Sequence, residues 1–223
     1  MRSSVVALLP VKDFGLAKSR LAPHLGPVER STIARCMVQD VLSVLTCVPG
    51  LVTVMVTADA GARKIAAQFK IRTVPDRGSG QSAVIKCATR DLADHGASGS
   101  LVIPGDVPAL TVEEVEMVLA AGRGRGSVLV PSRSGRGTNA VLRRPPDLFD
   151  LQFGDDSFRP HLAKARESGA AWNVLDLSGL GLDIDEVEDL SELLKRPGQT
   201  RTHAFLVRSR VAKRLKVRVH ERV

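Results

Sequence analysis

Short apolar, β-branched runs alternate along the chain with longer segments whose apolar positions recur every three or four residues. Val5–Val11 reads as a first strand, followed by a polar loop to Pro23. Pro27 opens a helix predicted to reach Cys47, with Ile33, Met37, Val41, Val44 and Leu45 on one face. The pattern then predicts a strand at 51–57, a helix at 60–69, a strand at 71–74, a loop at 76–80 and a helix at 81–94. A strand at 100–103 precedes a helix capped by Thr111 and running to about Ala121, with Glu113, Glu114 and Glu116 near its positive end. Strands are expected at 127–131, 140–142 and 172–175, a helix at 157–168, and a turn and closing helix over 183–194. Strands alternating with helices predict an α/β protein with a mostly parallel sheet covered on both faces. Such sheets bind ligands beyond the carboxyl ends of their strands, so the loops there are where chemistry is sought.

At 223 residues and 43% apolar composition, the chain can bury a core of its own. No apolar run reaches the roughly 20 residues of a spanning helix, and the Val5–Val11 run is too short for a signal peptide. Cys36, Cys47 and Cys87 form no Cys-x-x-Cys pair and sit in apolar helical stretches, which suggests core thiols in a reducing, cytoplasmic setting. With six Phe, one Trp and no Tyr, a nucleic-acid module built on base stacking is disfavoured.

The formal charge of +8 nevertheless points towards polyanions until it is divided by position. Residues 195–223 hold ten Lys/Arg and one acid, whereas residues 1–194 hold 22 basic and 23 acidic residues. The body is near neutral and the excess lies in a basic C-terminal extension, with a composition break near Pro197-Gly198. The expectation is therefore a domain over 1–194 and an extension over 195–223, part of it alternating like an edge strand or forming a loose tail. Such a tail suits weak binding of RNA or acidic surfaces, and its removal after Leu194 is expected to leave turnover nearly intact.

Four constellations carry candidate chemistry. Lys12, Lys18 and Arg20 place three cations in the loop after the first strand, with Gly15 for close backbone approach, as a triphosphate requires, although no Walker A pattern is present. Asp106, in Pro104-Gly105-Asp106-Val107-Pro108, follows an apolar strand and suits Mg²⁺ or an Asx-type turn. Asp183 and Asp185, two apart in Leu182-Asp183-Ile184-Asp185, share a face and need a cation or a shared proton. A helix N-cap would account for Asp185 but not for Asp183. Finally, Gly137-Thr138-Asn139 and Gly154 to Ser157 form small-residue turns with hydroxyls and free N–H groups, one opening a helix that carries His161. His24, His95, His161 and His203 are otherwise scattered, and no Ser or Cys nucleophile signature accompanies them.

Together, Pro10-Val11-Lys12, Ala17-Lys18-Ser19-Arg20-Leu21-Ala22-Pro23, Pro104-Gly105-Asp106, Gly137-Thr138-Asn139-Ala140, Phe153-Gly154-x-x-Ser157-Phe158-x-x-His161 and Leu182-Asp183-Ile184-Asp185 resemble the CofC/FbiD-type guanylyltransferases. The resemblance runs from about Val5 to Leu194. It implies a three-layer sandwich of the MobA-like nucleotidyltransferase (GT-A-like) fold. It also implies transfer of GMP from GTP to phosphoenolpyruvate, 2-phospho-L-lactate or 3-phospho-D-glycerate in coenzyme F(420) biosynthesis. Carried over by position, Asp106, Asp183 and Asp185 would hold Mg²⁺, and Lys12, Lys18 and Arg20, with Asp106, would form the catalytic set around the GTP phosphates. Thr138, Gly154 and Ser157, then Asn139 and His161, would hold the acceptor, and Pro75, Gly80 and Ser82 would meet the nucleotide. One departure is Gly80-Gln81-Ser82, where the family often has Gly-Leu-Asn.

An acceptor phosphate already ionised at neutral pH needs no strong general base, so a Ser-His or Cys-His pair is not expected. The partners implied are GTP and a phosphorylated three-carbon acid, with no membrane, together with a homodimer and hand-over of product to the next enzyme. Two alternatives stand beside this reading. One is a molybdenum-pterin or sugar-phosphate nucleotidyltransferase of the same fold, which usually carries a Leu-x-Gly-Gly loop after its first strand. The other is a nucleic-acid-binding protein acting through the tail.

Overall fold

A computed structural model describes residues 5–76, 81–154, 156–196 and 200–215. Seven strands form one sheet in the order β3-β2-β1-β4-β6-β5-β7. The strands are β1 (Val5–Pro10), β2 (Val52–Val56), β3 (Arg72–Val74), β4 (Gly99–Val102), β5 (Gly126–Pro131), β6 (Thr138–Arg144) and β7 (Ala171–Val174). All neighbours pair in parallel except β6, which runs antiparallel to both β4 and β5. The helices are α1 (Pro27–Leu45), α2 (Ala60–Gln68), α3 (Gln81–Asp94), α4 (Val112–Ala121), α5 (Phe158–Glu167), α6 (Val187–Lys195), α7 (Arg201–Arg208) and α8 (Val211–Arg214). The expected elements before residue 195 are present with their ends shifted by a few residues, most at β6, which runs from 138 to 144 instead of 140 to 142.

Alternation along β1 decides how the layers form. Val5, Ala7 and Leu9 enter one core with α1, α4 and α6, while Val6 and Leu8 enter a second, which takes Val84, Ile85 and Ala88 of α3 and Ala165 of α5. The result is the expected three-layer α/β arrangement. Chain order reverses at β1, which lies between β2 and β4, so the carboxyl ends of β1 and β4 flank the crevice where open α/β sheets bind ligands. No helix among the described residues is long and apolar enough to cross a membrane.

Two expectations are corrected. Cys47 and Cys87 are exposed and Cys36 is only partly covered, because each falls on the solvent side of its helix or beyond its end. Past the boundary expected at 194, residues 200–215 pack onto the body. They form α7 and α8, and Leu206, Val211 and Ala212 are buried in the same core as β1 and α1. Asp40 of α1, 6% exposed, accepts hydrogen bonds from the backbone N–H groups of Arg201 (2.7 Å) and Thr202 (2.9 Å) and from the Thr202 hydroxyl (2.7 Å). A carboxylate from one helix thus caps the start of another, where the helix dipole favours negative charge. Of the stretch 214–219, read as edge-like or as a loose tail, Arg214 and Leu215 end α8, and 216–219 lie outside the described residues.

Candidate functional site

A cavity of about 490 Å³ opens at the carboxyl ends of β1 and β4. One wall is the loop after β1. Phe14 N–H donates to Asp59 Oδ2 (3.2 Å), and Asp59 also caps α2 by accepting from Ala62 N–H (2.7 Å). Arg35 lies over the Phe14 ring at 4.5 Å. Sequence reasoning missed this anchor, although an Asp directly before a helix was a visible cap signal. The loop carries Lys12, Lys18 and Arg20 to the cavity, all three among its lining residues.

Lys18 is held in an unusual backbone state. Its φ of 55° lies in the left-handed region, at the start of a 3-10 turn over Ser19–Leu21, and a side chain there costs about 1 kcal/mol. Its ammonium donates to Asp106 Oδ2 (2.7 Å) and Asp185 Oδ1 (2.9 Å). Burial pulls the Lys18 pKa down, but Asp106 and then Asp185 outweigh it and leave it above the ordinary value. Arg20 Nη1 stands 3.6 Å from Asp185 Oδ2. For Asp185 burial acts upward, yet Lys18, Arg20 and Lys12 hold its carboxyl below the usual range.

The segment that delivers Asp183 and Asp185 is positioned by a residue the sequence reading assigned only to the helix dipole. Glu114 of α4 accepts from the N–H groups of Gly179 (2.7 Å) and Leu180 (2.9 Å), one on each oxygen. A Cβ on Gly179 would come within 2.3 Å of the Ala109 carbonyl oxygen, so only glycine fits this clamp. Downstream, Glu186 is the N-cap of α6, and Asp189 Oδ2 accepts from the N–H groups of Asp185 and Glu186 (3.0 and 2.9 Å). The Asp185 side chain is therefore not spent on capping, which resolves the alternative left open by the sequence. Asp183 is raised above the usual carboxylate range by burial and by Asp106 and Asp185, partly offset by Asn139 Nδ2 donating to its Oδ1 at 3.1 Å.

The opposite wall is built by the β5–β6 turn and the start of α5. Because β6 runs backwards, its first residues Thr138 and Asn139 arrive at the edge where β1 and β4 end. Gly135, at φ 72°, closes the turn, and Ser132 accepts from Gly137 N–H (2.9 Å). Phe158 N–H donates to the Arg136 carbonyl (2.8 Å), joining the turn to α5. Ser157 occupies the N-cap position of α5 without making a side-chain cap, and its hydroxyl instead meets Thr138 Oγ1 at 3.2 Å.

Of the residues named from sequence, Lys12, Lys18, Arg20, Asp106, Thr138, Asn139, Gly154, Ser157, Asp183 and Asp185 all border the one cavity. His161 does not; it is fully buried behind Thr138. Asn139 is turned towards Asp183 and the Leu180 carbonyl. Among the described residues, Pro75 and Ser82 lie outside the cavity lining, and Ser82 Oγ accepts from Phe153 N–H at 3.0 Å, pinning the Phe153-Gly154 turn. Gly80 lies outside the described residues. No group of three His, Cys, Asp or Glu among the described residues is close enough to cage a metal by itself.

The family model for "Guanylyl transferase CofC like" proteins matches residues 5–222. The chain belongs to this family. The match includes α7 and α8, which pack into the same core, and extends beyond the Leu194 limit drawn from the motifs. The chain is 34% identical over 191 residues to a phosphoenolpyruvate guanylyltransferase of Sphaerobacter thermophilus, covering 85% of this chain and 92% of that one. A phosphoenolpyruvate guanylyltransferase of Conexibacter woesei is 34% identical over 212 residues (91% and 95% covered). A 2-phospho-L-lactate guanylyltransferase of Methanothermobacter thermautotrophicus is 30% identical over 200 residues (90% and 88%). Among solved structures, a protein of Desulfovibrio desulfuricans G20 superposes with a TM-score of 0.81 at 23% identity (96% and 97% covered). A 4-diphosphocytidyl-2C-methyl-D-erythritol synthase of Anaerococcus prevotii gives 0.60 at 13% identity (92% and 96%). The CofC-like fold is thus the nucleotidyltransferase fold that the sequence motifs implied.

Proposed function

We propose that this CofC-like chain is a Mg²⁺-dependent guanylyltransferase. It moves GMP from GTP onto the phosphate of phosphoenolpyruvate, 2-phospho-L-lactate or 3-phospho-D-glycerate and releases pyrophosphate, a step of coenzyme F(420) biosynthesis. The observation that carries the reading is one cavity with a cationic wall of Lys12, Lys18 and Arg20, a hydroxyl wall of Thr138 and Ser157, and Asp106, Asp183 and Asp185 at the same cavity. The names of the relatives support phosphoenolpyruvate and 2-phospho-L-lactate among these acceptors.

In this reading an acceptor phosphate oxygen attacks the α-phosphorus of GTP, and the α–β bridging bond breaks to release pyrophosphate. Lys12, Lys18 and Arg20 contact the triphosphate and neutralise charge that grows on the leaving group. Gly154 N–H and the Thr138 and Ser157 hydroxyls hold the acceptor in line with it. Asp106, Asp183 and Asp185 fit Mg²⁺. Their donors are hard oxygens, an ammonium already bridges two of them, and this ion needs only one or two protein carboxylates beside substrate phosphates. A bound Mg²⁺ would supply charge neutralisation at the phosphates.

The test is pyrophosphate release by the purified full chain with GTP, MgCl₂ and each acceptor in turn. Activity with at least one is expected, and none with any would overturn the reading. Asp106→Asn and Asp183→Asn should each lower kcat by about 100-fold or more. Turnover retained at saturating Mg²⁺ would sink the metal assignment.

A further inference from the structure

His161 has no exposed surface, yet its two ring nitrogens touch groups of fixed and unequal character. Nε2 lies 2.9 Å from the backbone N of Gln152, whose N–H can only donate, so Nε2 must present its lone pair. A neutral imidazole then carries its proton on Nδ1, 2.9 Å from Thr138 Oγ1. Phe153 packs against the ring edge-on, with centroids 5.1 Å apart at 70°, which resists rotation out of this arrangement. Burial, then Lys164 and Arg143, push the imidazole down to about 4, which keeps it neutral near physiological pH.

The consequence is carried by two hydroxyls. Thr138 accepts the Nδ1 proton, and its partner Ser157 Oγ is 3.2 Å away. The pair owns two O–H protons. One is used between them, whichever way the pair is turned, and no other acceptor is recorded for the second among the described residues. Both hydroxyls border the cavity. We propose that His161 is a positioning residue that fixes the Thr138–Ser157 pair as a net donor towards the cavity, so that this wall takes an anionic oxygen of the acceptor, carboxylate or phosphate, and rejects a hydroxyl or amine hydrogen. The inference rests on the guanylyl-transfer reading for the identity of the ligand, but not for the polarity of the site.

Nitrogen-15 NMR of the full chain reads the polarity directly. The His161 ring should show Nδ1 protonated and Nε2 bare at neutral pH, and adding phosphoenolpyruvate with MgCl₂ should move the Nδ1 signal. An Nε2-protonated ring, or no movement at saturation, overturns the proposal. Two variants, each shown by circular dichroism to be folded, separate positioning from bulk packing. In His161→Asn the amide can still donate to Thr138. In His161→Asp the carboxylate instead draws the Thr138 proton away from the cavity. The aspartate variant should raise KM for the acceptor by about tenfold, as expected for one lost hydrogen bond to an anion, with KM for GTP within about twofold. The asparagine variant should recover most of the loss. Equal effects of the two variants, or equal rises for both substrates, overturn it. Wild-type protein that releases no pyrophosphate with any acceptor would instead indict the reaction, leaving the ring tautomer and the phosphoenolpyruvate titration to judge the site.

Discussion

Asp40→Ala tests whether the C-terminal helices belong to the folded body. The substitution removes the acceptor for three donors: the N–H groups of Arg201 and Thr202 and the Thr202 hydroxyl. Arg201 is exposed and can turn to water, but Thr202 is fully buried and its two donors would be left without a partner. Each buried orphan costs about 1–3 kcal/mol. Against that stands relief of a buried anion, since desolvation keeps the Asp40 carboxyl above its ordinary pKa despite the bonds from Thr202 and Arg201. The balance is about 3 kcal/mol, or roughly 9 °C in Tm for a chain of this size. Asp40→Asn keeps one acceptor oxygen and should lose less. Truncation after Leu194 additionally strips Leu206 and Val211 from the core, at about 1.5–3 kcal/mol each, and uncovers the face of α1 they protect. That loss approaches the whole stability of an ordinary domain, so the truncated chain should not accumulate as folded protein. Thermal melts by circular dichroism measure both effects. A Tm within about 2 °C of wild type for Asp40→Ala, or a truncated chain with full turnover, would refute the reasoning.

Ser157→Ala should raise KM for the acceptor more than KM for GTP in the pyrophosphate assay, and equal changes would count against its place on the acceptor wall. His161 also predicts an acid sensitivity. Its pKa is about 4 when folded against 6.5 for the free side chain, so between these values the unfolded chain binds a proton that the folded chain refuses. The stabilisation is complete above pH 6.5 and is lost as pH falls towards 4, by about 3 kcal/mol at the lower end. Urea midpoints at pH 7 and pH 4.5 should differ less for His161→Asn than for wild type, and identical pH slopes would contradict the assignment. Glu114→Gln leaves one of the Gly179 and Leu180 N–H groups facing an amide hydrogen. It should cost about 1–3 kcal/mol for the orphaned buried N–H and lower kcat about tenfold or more through Asp183 and Asp185, and unchanged kcat would show that the clamp is dispensable.

Much of the fold was legible because periodicity records burial. Val5 to Leu9 alternate between two cores, and Ile33, Met37, Val41 and Leu45 mark the inner face of α1. Some lining residues were legible for a different reason: Lys12 and Asp106 stand just after apolar strands, where such sheets bind ligands, while Thr138, Gly154 and Ser157 were marked by the family resemblance. What escaped were residues whose partners are distant in the chain. Glu114 looks like any acid in a first helical turn, and only the folded loop 65 residues later shows that it binds two backbone groups. His161 lies on the same helix as a cavity residue, but helical spacing turned it inward. The tail was misread because its charge masked its pattern. Thr200 caps α7 by accepting from His203 N–H, and Leu206, Val211 and Ala212 supply a buried face, yet ten cations in the same stretch dominated the composition.

The reversed strand β6 has a consequence for how such an enzyme could be retargeted. The cationic wall of Lys12, Lys18 and Arg20, with Asp106, is encoded before residue 110, and the hydroxyl wall of Thr138 and Ser157 lies between the β5–β6 turn and the start of α5. On the proposed assignment, a library confined to residues 132–139 and 152–157 would vary the hydroxyl wall while leaving the cationic loop and Asp106 untouched. Only the clamped Asp183–Asp185 segment lies between the two halves of the cavity, where Asn139 of the hydroxyl wall meets it.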